Sequence, residues 1–147
     1  MEFPTGNLNL FLTEIAEPSE HQLRVVVGEG LLGPPQRMAD TEIEFGEVRP
    51  IELTKESRFF ELNWSDYVAY AVRNESFWAA EPNQPAFLSH LTRRFNSAFL
   101  EFVSTTTFAD DEFPGPLQHW ALTTHMHCVD VVSVQAPRVS TLEAPSD

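Results

Sequence analysis

Alternation of apolar and polar positions dominates the first half of the chain, and it predicts strands. The clearest stretch is Arg58 to Phe77, RFFELNWSDYVAYAVRNESF. Phe60, Leu62 and Trp64 fall on one face and Glu61, Asn63 and Ser65 on the other, as in a strand with one buried side. Tyr67 to Val72 is apolar on both faces, which predicts a central strand covered on both sides and the spine of the fold. Arg73-Asn74-Glu75-Ser76 ends it with residues that favour turns and caps. Upstream, Asn7 to Ile15 alternates, with Leu8, Leu10 and Leu12 facing one way and Phe11 and Ile15 the other. His21 to Gly28 carries the β-branched run Val25-Val26-Val27 and predicts a second strand. Gly28 and Gly30 open a loop that runs to about Asp40, and they lack the spacing and the following Lys-Ser/Thr of a phosphate loop. Thr41 to Val48 places Ile43, Phe45 and Val48 inward and Glu42, Glu44 and Glu47 outward, and Ile51 to Leu53 is a short strand.

The period then changes. Leu88, Leu91, Phe95, Phe99, Phe102 and Val103 recur at helical spacing and predict a substantial helix over about 88–104. A shorter helix starting at Asn96-Ser97 is the alternative. Phe108 to Pro116 is an acidic, proline-rich loop. Strands return at His119–Thr124 and Cys128–Ser133, around a turn or bulge at His125-Met126-His127. Strands arriving in succession with short connections predict an α+β domain, a mainly antiparallel β-sheet or sandwich with the helix packed on it. The expected globular domain spans 1–135, followed by a C-terminal edge or tail at 136–147. Its expected core is Phe60, Leu62, Trp64, Val68, Tyr70, Leu91, Phe95, Phe99, Phe102, Trp120, Leu122, Val129 and Val131.

A length of 147 residues suits one domain with a real core. Charge narrows the partners. Nine basic residues against 22 acidic ones give a formal net charge of −13. Phosphate backbones and anionic membranes repel such a chain, so the expectation is no nucleic acid and no membrane. No apolar run approaches the roughly 18 residues of a membrane helix, and the opening MEFPTGNLNLFLTEIAEP lacks the basic start of a signal peptide. A single cysteine fits a reducing compartment, so the expected location is cytoplasmic. Acidity serves solubility, or it serves a basic protein partner.

Tyr67-x-Ala69-Tyr70-x-Val72-x-Asn74-Glu75-Ser76, then Ser97-x-Phe99-Leu100-x-Phe102-Val103, His119-Trp120-x-Leu122 and Val129-Asp130-Val131-Val132 together resemble a family of small bacterial proteins with no established activity. The resemblance covers roughly the second half of the chain. It implies a bacterial, intracellular, single-domain protein and carries over no catalytic residue.

Three clusters carry candidate chemistry. His125 and His127 stand two apart, a spacing that puts both imidazoles on one face of a strand. His119 shares their parity if that strand is continuous, and Asp130 or the Asp110-Asp111-Glu112 loop offers a carboxylate. A divalent metal is therefore the one cofactor to consider, against partly exposed histidines at a turn. Asp110, Asp111, Glu112 and Phe113 form a carboxylate cluster beside an aromatic, either a solvated loop or a contact for a basic partner with Phe113 as anchor. Arg73, Asn74 and Glu75 either line a polar pocket or satisfy backbone groups at a strand end. Cys128 beside His127 reads as a small buried residue, because sequence neighbours on a strand face opposite ways. No coherent catalytic set assembles. The expected function is a non-catalytic binding protein that neutralises or escorts a basic partner, as an immunity protein does. The alternative is a small metal-binding or metal-dependent enzyme using His125 and His127. Exposed sheet edges also invite pairing into a homodimer.

Overall fold

A computed structural model describes residues 1–33, 36–37, 47–79, 81 and 89–143. Among them the chain forms β1 (Leu10–Ala16), β2 (Gln22–Glu29), β3 (Leu31–Leu32), β4 (Gln36–Arg37), β5 (Glu47–Val48), β6 (Ile51–Glu52), β7 (Phe59–Ser65), β8 (Ala69–Asn74), β9 (Leu91–Arg94), α1 (Ala98–Thr106), β10 (Gln118–Thr123), β11 (His127–Ser133) and β12 (Arg138–Leu142). Two four-stranded sheets, in the orders β1-β2-β7-β12 and β8-β11-β10-β9, carry the architecture. Every pairing within them is antiparallel. Among the described residues the fold is thus mainly antiparallel sheet, as the alternation predicts, with one short helix.

Burial follows strand parity. Leu23, Val25 and Val27 of β2 and Phe60, Leu62 and Trp64 of β7 form one cluster with Leu122 of β10 and Val129 and Val131 of β11. The two inner faces therefore bury each other as a sandwich. Tyr70, Leu91 and Trp120 are partly buried against this core.

The stretch from Arg58 to Phe77 is two strands in different sheets. Its first half keeps the expected phase, but Asp66 turns the chain with a φ of 54°. Tyr67 N still donates to His21 O of the first sheet's side (3.2 Å), and Val68 N already donates to Val132 O of the second (2.8 Å). β8 is consequently an edge strand, not a central strand covered on both sides. In β1 the register shifts between Leu12 and Glu14, so Leu12 lies opposite Val27 and Ile15 opposite Val25. This bulge turns both residues onto the core, where plain alternation separates them.

The helix over about 88–104 is corrected to Ala98–Thr106, the shorter alternative. Leu91–Arg94 instead pairs with β10, with Leu91 opposite Leu122. Leu91, Phe95 and Phe99 fit a helical face by spacing, but the open edge of β10 offers backbone partners that a helix cannot use. Asn96 then turns with a φ of 53°, and Ser97 caps the helix by accepting a hydrogen bond from Leu100 N (3.1 Å). The expected core positions Phe95 and Phe102 are 63% and 59% exposed, Phe99 is only partly covered, and Val103 is the buried residue of α1. Of the strand expected at Thr41–Val48, only Glu47–Val48 is described, paired with Gln36–Arg37; Glu42, Ile43, Glu44 and Phe45 lie outside the described residues. The C-terminal segment supplies β12, an edge strand beside β7.

Gly28 and Gly30 have a packing reason. A Cβ on Gly28 would stand 2.8 Å from Leu53 Cδ2 and Phe59 Cε1, and one on Gly30 would stand 2.6 Å from Ile51 Cγ2 and Phe11 Cε2. Gly30→Ala is therefore expected to destabilise the protein by about 1–3 kcal/mol through overpacking. Phe60→Ala should cost about 3–5 kcal/mol, whereas Phe95→Ala, at an exposed ring with the Arg93 guanidinium 4.7 Å from its centroid, should cost only about 0.5–1 kcal/mol. Urea unfolding of the three variants checks this, and a large cost at Phe95 would contradict the strand placement of Leu91–Arg94.

Candidate functional site

Register decides which side chains meet on the outer face of the second sheet. In the β10–β11 ladder His119 lies opposite Val132 and Ala121 opposite Asp130, so His119 and Asp130 are diagonal neighbours on one face. In the β11–β8 ladder Arg73 lies opposite Cys128 and Ala71 opposite Asp130. That brings Arg73 to the same carboxylate from the other side.

A chain of hydrogen bonds results. Ser97 Oγ, already accepting from Leu100 N, lies 2.5 Å from His119 Nδ1. His119 Nε2 lies 2.7 Å from Asp130 Oδ1, and Arg73 Nη2 donates to Asp130 Oδ2 at 2.6 Å. An ionised carboxylate only accepts, so His119 Nε2 carries the hydrogen that it shares with Asp130. Ser97, His119 and Asp130 are 2%, 2% and 4% exposed. Burial pushes the Asp130 carboxyl up, but the hydrogen bonds from His119 and Arg73 outweigh it and hold the group below its ordinary range. Burial pushes the Cys128 thiol up, and the nearby Asp130 charge adds to this. The thiol is thereby kept protonated, the opposite of an activated nucleophile.

Serine, histidine and aspartate in a line suggest acyl transfer, but the arrangement differs from that chemistry. The serine hydroxyl is buried and engaged as a helix cap, and it meets Nδ1 while the carboxylate meets Nε2, the reverse of the usual orientation. What the chain does is fasten the start of α1 to β10, β11 and β8. Beside it a cavity of about 300 Å³ opens between the sheet and a roof formed by the start of α1 and residues 78–79 and 81. Arg73, Arg94, His119, Cys128 and Asp130 line it, with Trp78 and Phe99 as apolar walls.

The histidine cluster does not converge. His119 takes the outer face, while His127, one position before Cys128, has the inner-face parity of Val129. Met126 turns with a φ of 71°, so the strand that parity assumes is interrupted. His125 sits in the turn, stacked on Phe11 at 4.8 Å and 3.2 Å from Asn9 Oδ1. Among the described residues no three His, Cys, Asp or Glu side chains group as a metal site. The trio Arg73, Asn74 and Glu75 separates as well. Arg73 enters the cavity, Asn74 Oδ1 accepts from Ser76 N (2.9 Å), and Glu75 is exposed.

Asp110, Asp111, Glu112 and Phe113 do form one exposed turn. Asp110 Oδ1 accepts from Glu112 N and Phe113 N at 2.9 Å each. Asp110 N donates to Phe113 O (2.8 Å) and Gly115 N to Asp110 O (3.1 Å). Phe108 and Phe113 are 96% and 76% exposed and border one depression with residues 105–107. The three carboxylate residues border another with Leu100 and Leu117.

The depressed Asp130 gives a pH prediction. A carboxyl held below its unfolded pKa of about 3.9 stabilises the fold above that value, and the contribution is lost as pH falls through the folded value. The unfolding free energy of the native chain should therefore drop between about pH 5 and pH 1, and it should drop less in Asp130→Asn. Parallel acid limbs for the two proteins would show that Asp130 is not held ionised by its partners.

Compared with protein-family models, with curated proteins and with solved structures, the chain matches none.

Proposed function

We propose that the chain is a non-catalytic binding protein that holds a basic protein partner, neutralising or escorting it, on the surface between α1 and the Asp110–Phe113 turn. The observation that carries this reading is the uneven placement of charge and apolar surface. On the outer face of the first sheet, acids and bases offset each other: Arg24 pairs with Glu14 and Glu61, and at the strand ends Arg58 pairs with Glu29. At the turn, among the described residues, no cation pairs with Asp110, Asp111 or Glu112. Two exposed phenylalanines stand beside those uncompensated carboxylates.

This combination supports protein recognition on physical grounds. Aromatic anchors in a desolvated centre supply most of an interface's energy, and a charged rim supplies encounter rate and selectivity. The turn's internal hydrogen bonds hold Phe113 and the carboxylates in place before any partner arrives, which lowers the ordering cost of association. A partner of matching chemistry presents lysine or arginine around an apolar pocket. The net charge of −13 favours its approach from a distance.

The test is capture from a lysate at low salt, followed by kinetics with each captured protein. The expected outcome is a basic protein whose association rate falls steeply with ionic strength while its dissociation rate changes less. Asp111→Asn should mainly slow association, and Phe113→Ala should mainly speed dissociation, by about tenfold or more for a central anchor. Capture that is indifferent to both substitutions, or that selects acidic proteins, would overturn the reading.

A further inference from the structure

The cavity over the second sheet plays no part in partner docking, and its lining is specific. Its floor uses small side chains at neighbouring sheet positions, Ala71, Ala121 and Cys128. Larger residues there would pack the sheet against its roof; these leave about 300 Å³ open, the lower end of the size of small-molecule sites. Two guanidinium groups line it from opposite edges of the sheet, Arg73 on β8 and Arg94 on β9. They are two of nine cations in a strongly acidic chain.

The carboxylates at the cavity are already engaged. Asp130 uses one oxygen for His119 and the other for Arg73, and Glu81 Oε1 accepts from Ala98 N at 2.7 Å. Arg73 is held through Nη2 alone among the described residues, and its side chain is 53% exposed. The second Nη2 hydrogen therefore remains for a ligand together with the donor that shares its edge of the guanidinium, on a group whose position is fixed by a buried partner. A guanidinium so oriented favours a planar or tetrahedral anion that accepts two hydrogen bonds. Trp78 and Phe99 offer apolar surface for the rest of the molecule.

We propose that this cavity binds a small organic anion, a carboxylate or phosphate ester with an apolar body, with Arg73 as the principal anion-binding residue. Benzoate and phenyl phosphate are the probes, with benzylamine and benzyl alcohol as cationic and neutral counterparts, titrated at constant ionic strength by ligand-observed NMR. Protection of Cys128, the chain's one cysteine, from an alkaline thiol reagent gives a second readout located on the cavity floor. The expected result is saturable binding of at least one anion, of about millimolar strength for a fragment of this size, with slower Cys128 labelling. Binding of benzoate alone assigns a carboxylate ligand, and binding of phenyl phosphate alone assigns a phosphate ester.

Arg73→Gln should weaken the anion by about tenfold, the loss of a charge-assisted hydrogen-bond pair. Because that substitution also removes a partner of Asp130, Ala71→Leu is the second variant; it fills the floor from β8 and leaves Ser97, His119, Asp130 and Arg73 in place. It should abolish binding while keeping the cooperative unfolding transition. Equal binding of benzylamine or benzyl alcohol, absence of saturable binding by either anion, or binding unchanged in Ala71→Leu would overturn the assignment.

Discussion

An apolar sheet face must be covered, and here each of two sheets covers the other. Phe60, Leu62 and Trp64 of β7 meet Leu122, Val129 and Val131 of the opposing sheet in one continuous core. Such burial contributes about 25 cal/mol per Å² of apolar area, which makes this contact the dominant favourable term. Asp66 permits it. The left-handed turn there lets one segment supply a strand to each sheet, with the backbone hydrogen bonds passing from His21 O to Val132 O between successive residues.

With the inner faces spent on each other, the outer faces are held by polar interactions. On the first sheet Arg24 bridges Glu14 and Glu61. On the second, α1 offers the core side only Val103 as a fully buried residue, so apolar docking of the helix is slight. Ser97, His119, Asp130 and Arg73 fasten its start instead. Buried polar groups are costly when unsatisfied and rigid when complete, and each buried member of this chain has its partner. The same chain walls the cavity on one side, and α1 leads from it through Phe108 to the acidic turn. The position of the proposed docking surface therefore depends on a hydrogen-bonded chain that no part of that surface contains.

Part of this was legible along the sequence and part was not. The phase of Phe60, Leu62 and Trp64 and the paired strands around His125 follow from local pattern, whereas the short helix from Ser97 was legible only as the alternative to a longer one. His119 and Asp130 stood out individually, yet as metal ligands. Their true relation depends on the turn between β10 and β11. Placing all of His125 to His127 in that turn shifts the pairing by one residue and puts Asp130 on the face opposite His119. The structure pairs Thr123 with Cys128, and the two meet. A one-residue slip reverses every side chain of a strand. The acidic turn was readable as a cluster because its members are adjacent; that no cation among the described residues pairs with it was not.

The sequence by itself determined that this is a strongly acidic, mainly antiparallel β protein, and it determined which residues of each strand are apolar enough to face inward. Period-two burial is a local property, written within a few residues of each strand. Only the tertiary structure decided that the longest alternating stretch divides between two sheets. The same holds for the pairing of Leu91–Arg94 with an open edge in place of a helix, and for the meeting of Ser97, His119, Asp130 and Arg73. Those outcomes rest on pairing, register and turns with positive φ, where one residue more or less reverses a face and competing local preferences are close in energy. Backbone partners supplied by distant strands settle such contests, and nothing in the neighbouring sequence contains them.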